Sequence, residues 1–182
     1  MDFTLSGESK MMVKAARDFA KQEIEPIIAK IEKEDAIPDD IWQKFAKAQM
    51  LGIMIPKEYG GIGSSALNVI LILEELAKTG SAAAFLVALS NSVSETIYHW
   101  GSEDIRKQFI PPLCNGSDYA AMAFTEPATG SDPTAITTTA KPDGDYYVLN
   151  GTKRFISYGH KKGYGVFYAK DETERVTAFL VN

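Results

Sequence analysis

The spacing of apolar residues changes once along this chain, after Ser117, and that change confines it to two kinds of structure joined end to end. Ahead of it, apolar residues recur at intervals of three and four, the repeat of a helix with one buried face. Behind it, Thr137-Thr138-Thr139, Tyr146-Tyr147-Val148-Leu149 and Val166-Phe167-Tyr168 form β-branched and aromatic runs that suit a pleated sheet. We place the boundary near Asp118, with an N-terminal helical domain over residues 1–118 and a partial β domain over residues 119–182. The expected fold class is α+β: an all-α helical bundle followed by a partial antiparallel β domain.

Five helices are expected in the first part. Residues 8–33 place Ile24, Ile27, Ile28 and Ile31 on one face, with Pro26 kinking or breaking the helix. Pro38-Asp39-Asp40 starts a second helix, through Ile41, Trp42 and Phe45, that should end near Gly52. Residues 53–63 carry Pro56, Gly60, Gly61 and Gly63, too many breakers for regular structure, and form a turn-rich connector. Ser64-Ser65 caps a helix to about Lys78 and Ser81 one over residues 82–100, both apolar on most sides and therefore central. Ser102-Glu103-Asp104 opens the last, which Pro111-Pro112 is expected to bend short of Asn115-Gly116.

In the second part, Pro142-Asp143-Gly144 and Asn150-Gly151 are tight-turn signals, so strands near residues 135–141, 145–149 and 152–156 are expected to form an antiparallel meander. The chain stops directly after the apolar run 176–181, which reads as a cut through a sheet that would favour association with another chain.

Composition excludes several function classes. A net charge of −5 and a pI near 5.1 leave no basic face for phosphate neutralisation, which argues against nucleic-acid binding. The single cysteine, Cys114, excludes an intramolecular disulfide and a Cys-rich zinc site, and reads as a small buried hydrophobe. The runs 69–73 and 82–89 are too short to span a membrane, and residues 1–6 lack the features of a secretory signal or presequence, so the protein is read as cytoplasmic.

Two segments carry chemistry. Residues 122–132 read as a strand ending in a small polar loop, with Thr125 and Ser131 supplying hydroxyls and glycine allowing close backbone approach. In residues 150–157 a hairpin turn feeds a strand whose alternation would put Phe155 and Ser157 on one face, an aromatic surface beside a hydroxyl. A flavin needs that pairing, apolar contact for its ring and hydrogen bonds for its heteroatoms. Alone, each segment would read as an ordinary turn or strand.

Together they resemble the acyl-CoA dehydrogenase family, whose middle domain carries Thr-Glu-Pro-x-x-Gly-Ser-Asp, Leu-Asn-Gly-x-Lys and aromatic-Ile-Thr/Ser runs. Here these are residues 125–132, 149–153 and 155–157, and the likeness extends upstream through Ile55-Pro56-Lys57-Glu58-Tyr59-Gly60-Gly61 to essentially the whole chain. The resemblance implies FAD as cofactor, contacted by Met122, Phe124 and Thr125 on one flank and by Phe155, Ile156 and Ser157 on the other, with Thr125 on the pyrimidine side and Ser131 facing an acyl-CoA substrate. Phe155 stands where many members have tryptophan and Ser157 where many have threonine. The family reaction is α,β-dehydrogenation of an acyl-CoA thioester in fatty acid metabolism: a carboxylate takes the α-proton while the β-hydrogen leaves as hydride to flavin N5. An electron-transfer flavoprotein as acceptor and a homotetramer are implied for a full-length parent.

In most of the family the base is a glutamate of a C-terminal helical domain, so this chain is expected to hold the cofactor half of a site, to contain no catalytic residue, and to be inactive alone. Glu126 suits a loop-fixing role, and Glu74 and Glu75 a polar helix face or an ion pair between helices. His160 reads as a solvated loop residue and His99 as a dipole partner or packing residue at a helix end. Residues 158–165 depart from the family's Asn-x-x-x-Ala-Asp pattern. A non-catalytic assembly module, or a related flavin oxidase, stands as the alternative.

Overall fold

The computed structural model describes residues 4–34 and 36–181. Half of the segment read for a targeting signal, residues 1–3, and the final residue lie outside them. The chain divides into two compact units, Met1–Ser117 and Asp118–Asn182, so the α+β class expected above is the class observed.

The first unit has six α-helices among the described residues, because the first expected helix is interrupted. Ser6 caps α1 (Gly7–Phe19) by accepting from the Ser9 N–H at 3.0 Å. A π-helical turn, Ala20–Ile24, and a 3-10 turn, Glu25–Ile27, then lead into α2 (Ile28–Glu34). Pro26 has no N–H to give to the preceding turn and its ring crowds the carbonyl there, so the helix changes pitch around it. Buried Ala16, Ala20, Ile24 and Ile31 keep one face inward across the change.

Helix α3 (Asp39–Lys47) buries Ile41, Trp42 and Phe45 but ends well before Gly52. Gln49 takes a left-handed backbone at φ 57°, and the chain beyond it is held by side chains of the helix Ala83–Trp100. Asn91 accepts from the Ile53 N–H at 2.7 Å and donates to the Met50 carbonyl at 2.8 Å, while the Ser90 hydroxyl donates to the Leu51 carbonyl at 3.0 Å. Side chains of another helix thus satisfy the buried backbone that a longer α3 would have satisfied itself. Gly60, at φ 93°, closes the 3-10 turn Lys57–Tyr59 of the connector.

Ser65 caps α4 (Ala66–Ala77), and Ser81 accepts from the Ala83 N–H at the start of α5 (Ala83–Trp100). Ser102 caps α6 (Glu103–Cys114), which runs through Pro111 and Pro112 and ends directly before Asn115, with Ile110, Leu113 and Cys114 buried. Glu75 is the expected ion pair between helices: Arg17 of α1 grips it in a fork at 2.9 and 3.0 Å, and Lys78 adds a contact at 2.7 Å. No helix among the described residues is long and apolar enough to cross a membrane.

The second unit is one five-stranded sheet of β1 (Tyr119–Ala123), β2 (Thr139–Asp143), β3 (Tyr146–Asn150), β4 (Gly163–Lys170) and β5 (Val176–Val181). The β2–β3 pair is antiparallel, as expected, and the β4–β5 pair is antiparallel too. β1 pairs with β4 in parallel, Tyr119 opposite Gly163 through Ala123 opposite Phe167, and β2 touches β4 at Thr139 and Lys170. Two expectations fail. Residues 152–156 are not a strand, and β2 starts at Thr139 instead of residue 135, because both stretches spend their polar groups on the loop after β1.

Candidate functional site

The loop after β1 and the segment after β3 meet. The Lys153 ammonium donates to the Phe124 carbonyl at 3.0 Å and to Glu126 Oε1 at 2.9 Å, and the Arg154 N–H donates to the Thr125 carbonyl at 2.8 Å. Three consecutive residues of one motif are therefore held by two consecutive residues of the other. The loop closes on itself as well: Glu126 and Thr129 exchange backbone hydrogen bonds at 2.9 and 3.2 Å, and the Thr129 hydroxyl donates to the Asp132 carbonyl at 2.8 Å.

Glu126 is buried, and so is the Lys153 side chain. Burial by itself would push the Glu126 carboxyl up, but donors from Thr138, Lys153 and Thr137 outweigh it and hold the group well below the ordinary carboxylate range. Oε2 accepts from the Thr137 N–H and hydroxyl at 2.6 and 2.7 Å, and Oε1 from the Thr138 N–H and hydroxyl at 3.0 and 2.5 Å in addition to Lys153. A carboxylate engaged by five donors is a structural acceptor with little basicity left, which agrees with a loop-fixing role. Gly151 is required beside it, since a Cβ there would lie 2.3 Å from the Thr138 hydroxyl.

Met122 lies half-buried on β1 opposite Val166, and the Phe124 ring sits 4.9 Å from that of Tyr168. Thr125 is half-buried and Ser131 exposed, and Ser157 is half-buried at the start of a turn. None of these three hydroxyls forms a hydrogen bond among the described residues. Ile156 lines an open cleft of about 470 Å³ with Thr138, Leu149, Lys153, Phe167 and Val181.

Phe155 corrects the strand reading. Its backbone is left-handed at φ 60°, it is 79% exposed, and the Arg154 guanidinium stands 4.5 Å over its ring. Phe155 and Ser157 therefore owe their orientation to a loop and not to strand alternation. The structure joins residues 124–126 to 153–154, and no hydrogen bond ties Ser131 to the other candidates.

Residues 158–165 form a turn leading into β4, beside a second cleft of about 180 Å³ where the Tyr119 and Tyr158 rings lie 4.8 Å apart. His160 is exposed, and His99 pairs with Glu95 at 3.1 Å near the end of α5. Burial raises the Cys114 thiol to about 12, so it stays protonated and packs as a hydrophobe. Among the described residues, no cluster of three or more His, Cys, Asp or Glu could hold a metal ion.

The family description for the N-terminal domain of acyl-CoA dehydrogenases matches residues 6–117, and that for the middle domain matches residues 121–182. The chain belongs to the acyl-CoA dehydrogenase family. Acryloyl-CoA reductase (NADH) of Anaerotignum propionicum is 38% identical over 177 residues, covering 96% of this chain and 45% of that protein. A subunit of the caffeyl-CoA reductase-Etf complex of Acetobacterium woodii is 35% identical over 183 residues, covering 97% of this chain and 48% of its own length. The solved glutaryl-CoA dehydrogenase of Mycobacterium smegmatis in complex with FADH2 superposes with a TM-score of 0.92 at 26% identity, over 97% of this chain and 46% of that one. This acyl-CoA dehydrogenase chain thus spans about half the length of the curated relatives it matches.

Sequence reasoning assigned no role to Lys153, Thr137 or Thr138. The lysine of the Leu-Asn-Gly-x-Lys run was visible as a family mark, but nothing local indicates that its charge is buried. The threonines read as β-formers, whereas 137 and 138 serve as donors to Glu126 ahead of β2.

Proposed function

We propose that this chain provides the flavin-binding part of an enzyme acting on the α,β-bond of an acyl-CoA thioester. The observation that carries the reading is the joining of its two flavin motifs by Lys153 and Arg154 into one surface, where the hydroxyls of Thr125 and Ser157 form no hydrogen bond among the described residues. That donor set fits FAD: two available hydroxyls beside an exposed aromatic ring and the apolar side chains of Met122, Phe124 and Ile156. In this reading Thr125 hydrogen-bonds the pyrimidine side of the flavin, Phe155, Ile156 and Ser157 cover the other flank, and Ser131 faces the thioester. When bound, FAD supplies a two-electron acceptor for the hydride leaving the β-carbon.

The base that takes the α-proton is not Glu126, whose lone pairs are occupied and whose charge is stabilised far below neutrality. We assign that step to a carboxylate of a C-terminal domain of the family, so the chain alone does not turn over. An electron-transfer flavoprotein is the electron acceptor in this reading, supported by the relative named for its Etf complex. The full-length protein is proposed to be a tetramer. Both curated relatives described above are named as reductases, which favours a second reading: the same site run in reverse, reducing an α,β-unsaturated acyl-CoA.

The test is FAD titration of the purified chain by flavin fluorescence, next to the chain completed by the C-terminal half of its acryloyl-CoA reductase relative. Binding by at least one form is expected, with acyl-CoA-dependent dye reduction only by the completed form. Failure of both to bind FAD defeats the proposal, and turnover by the short chain defeats the assignment of the base.

A further inference from the structure

Lys153 and Glu126 are charged, buried and outside the flavin contacts proposed above. The ammonium ion of Lys153 holds residues on both sides of Thr125, the Phe124 carbonyl and the Glu126 carboxylate, while the next N–H holds the Thr125 carbonyl itself. Fixing the loop alone would need none of this bracketing, since Glu126 and Thr129 already close it.

Lys153 and Arg154 run directly into Phe155. A left-handed backbone at a non-glycine residue is unfavourable, and a side chain this exposed has little packing of its own to sustain it. Its conformation is set by the anchors before it, Lys153 and Arg154, and by the turn after it, where the Gly159 N–H donates to the Ile156 carbonyl at 3.1 Å. Thr137 and Thr138 extend the hold on Glu126 to the start of β2.

We propose that Lys153 and Glu126 are positioning residues: as a buried ion pair they hold the Thr125 loop and the Phe155-Ile156-Ser157 segment as one rigid surface, so that the affinity and surroundings of the flavin depend on two residues that do not touch it. This rests on the flavin reading above. At metal sites, groups that orient the contacting residues are worth about 10–100-fold in affinity, and the same cost applies in kind to any surface that must be ordered again at each binding event.

Lys153→Met and Lys153→Arg are compared with the unsubstituted protein, in whichever of the two forms binds FAD, by titration and by the visible spectrum of the bound flavin at saturation. Lys153→Met is expected to weaken binding about tenfold or more and to change the spectrum, and Lys153→Arg to recover most of both. A role in loop stability alone would leave the spectrum of flavin that still binds unaltered. Should Lys153→Met fail to fold, Thr137→Val removes one of the five donors and is expected to give a smaller loss, about twofold to threefold, with a spectral change in the same direction. Unchanged affinity and spectrum in a folded Lys153→Met protein, or in Thr137→Val where that replaces it, overturns the positioning role and leaves the flavin reading intact. Absence of FAD binding by both unsubstituted forms overturns the flavin reading, and this proposal with it.

Discussion

The helical unit packs Trp42, Phe45, Ile24 and Leu76 into its centre at 1% exposure or less, whereas the buried apolar residues of the β unit are mostly alanines. Both units leave large apolar side chains exposed, Trp100 and Ile70 in one and Tyr146 and Phe155 in the other, but in the β unit the loops after β1 and β3 are joined through buried charge, on Glu126 and Lys153. Apolar burial is strong but non-directional, so it fixes which faces meet without fixing single backbone groups. Hydrogen bonds to ionised groups are directional and hold particular carbonyls and N–H groups in place. In the flavin reading proposed above, the contrast suits one unit that positions loops for a ligand and another that need only be stable.

The largest expected effect tests the helical side of this contrast. Trp42→Ala should cost about 3–5 kcal/mol of stability in urea unfolding followed by far-UV circular dichroism, since the ring is buried and its Nε1–H donates to the Gly116 carbonyl. A loss below about 1 kcal/mol would remove apolar packing as the main support of that unit.

Acid sharpens the comparison. Hydrogen bonds from Arg17 and then Lys78, acting against burial, lower Glu75 to about 2, while Glu126 is held lower still. A depressed folded pKa gives stability that is full above the unfolded glutamate value of about 4.3 and is lost as pH falls through the folded value. Between about pH 4 and pH 2 the α1–α4 contact should therefore lose up to about 2 kcal/mol, a figure reduced because Arg17 is half exposed, while the β-unit pair persists to lower pH. Hydrogen exchange as a function of pH would resolve the order, and Glu75→Gln should abolish the helical step in that window. Simultaneous loss of protection in both units would break the contrast.

The smallest effect probes the surface that the polar pair supports. Thr125→Ala should weaken flavin binding by about 1 kcal/mol, a several-fold rise in Kd, with unchanged unfolding. Unaltered affinity would show that the Thr125 hydroxyl is not a flavin contact.

Features determined by a few neighbouring residues were legible in the sequence. Ser65 and Ser102 could be read as caps because a cap bonds within its own first turn, and Pro26 as an interruption because its missing N–H is a local fact. The end of α3 was not legible, since it depends on Asn91, a residue forty positions away that takes over the backbone at Met50 and Ile53. The same limit misread residues 152–156: β-propensity favours a strand there, yet Lys153 and Arg154 are committed to a loop 27 or more residues earlier. Motif order thus marked two segments that the fold brings together, while the long-range pairing that joins them is written in no single stretch.

The parallel ladder between β1 and β4 also bears on how fast this unit can assemble. Pairing Tyr119 with Gly163 closes a loop of 44 residues, and such non-local closure slows folding because chain entropy is lost before any contact rewards it. The Glu126–Lys153 contact closes only 27 residues, and once made it leaves seven residues on one side and ten on the other between the ladder's ends. A pair that holds the finished loops in place is, on the route to that structure, also a shortcut through the slowest search the unit has to make.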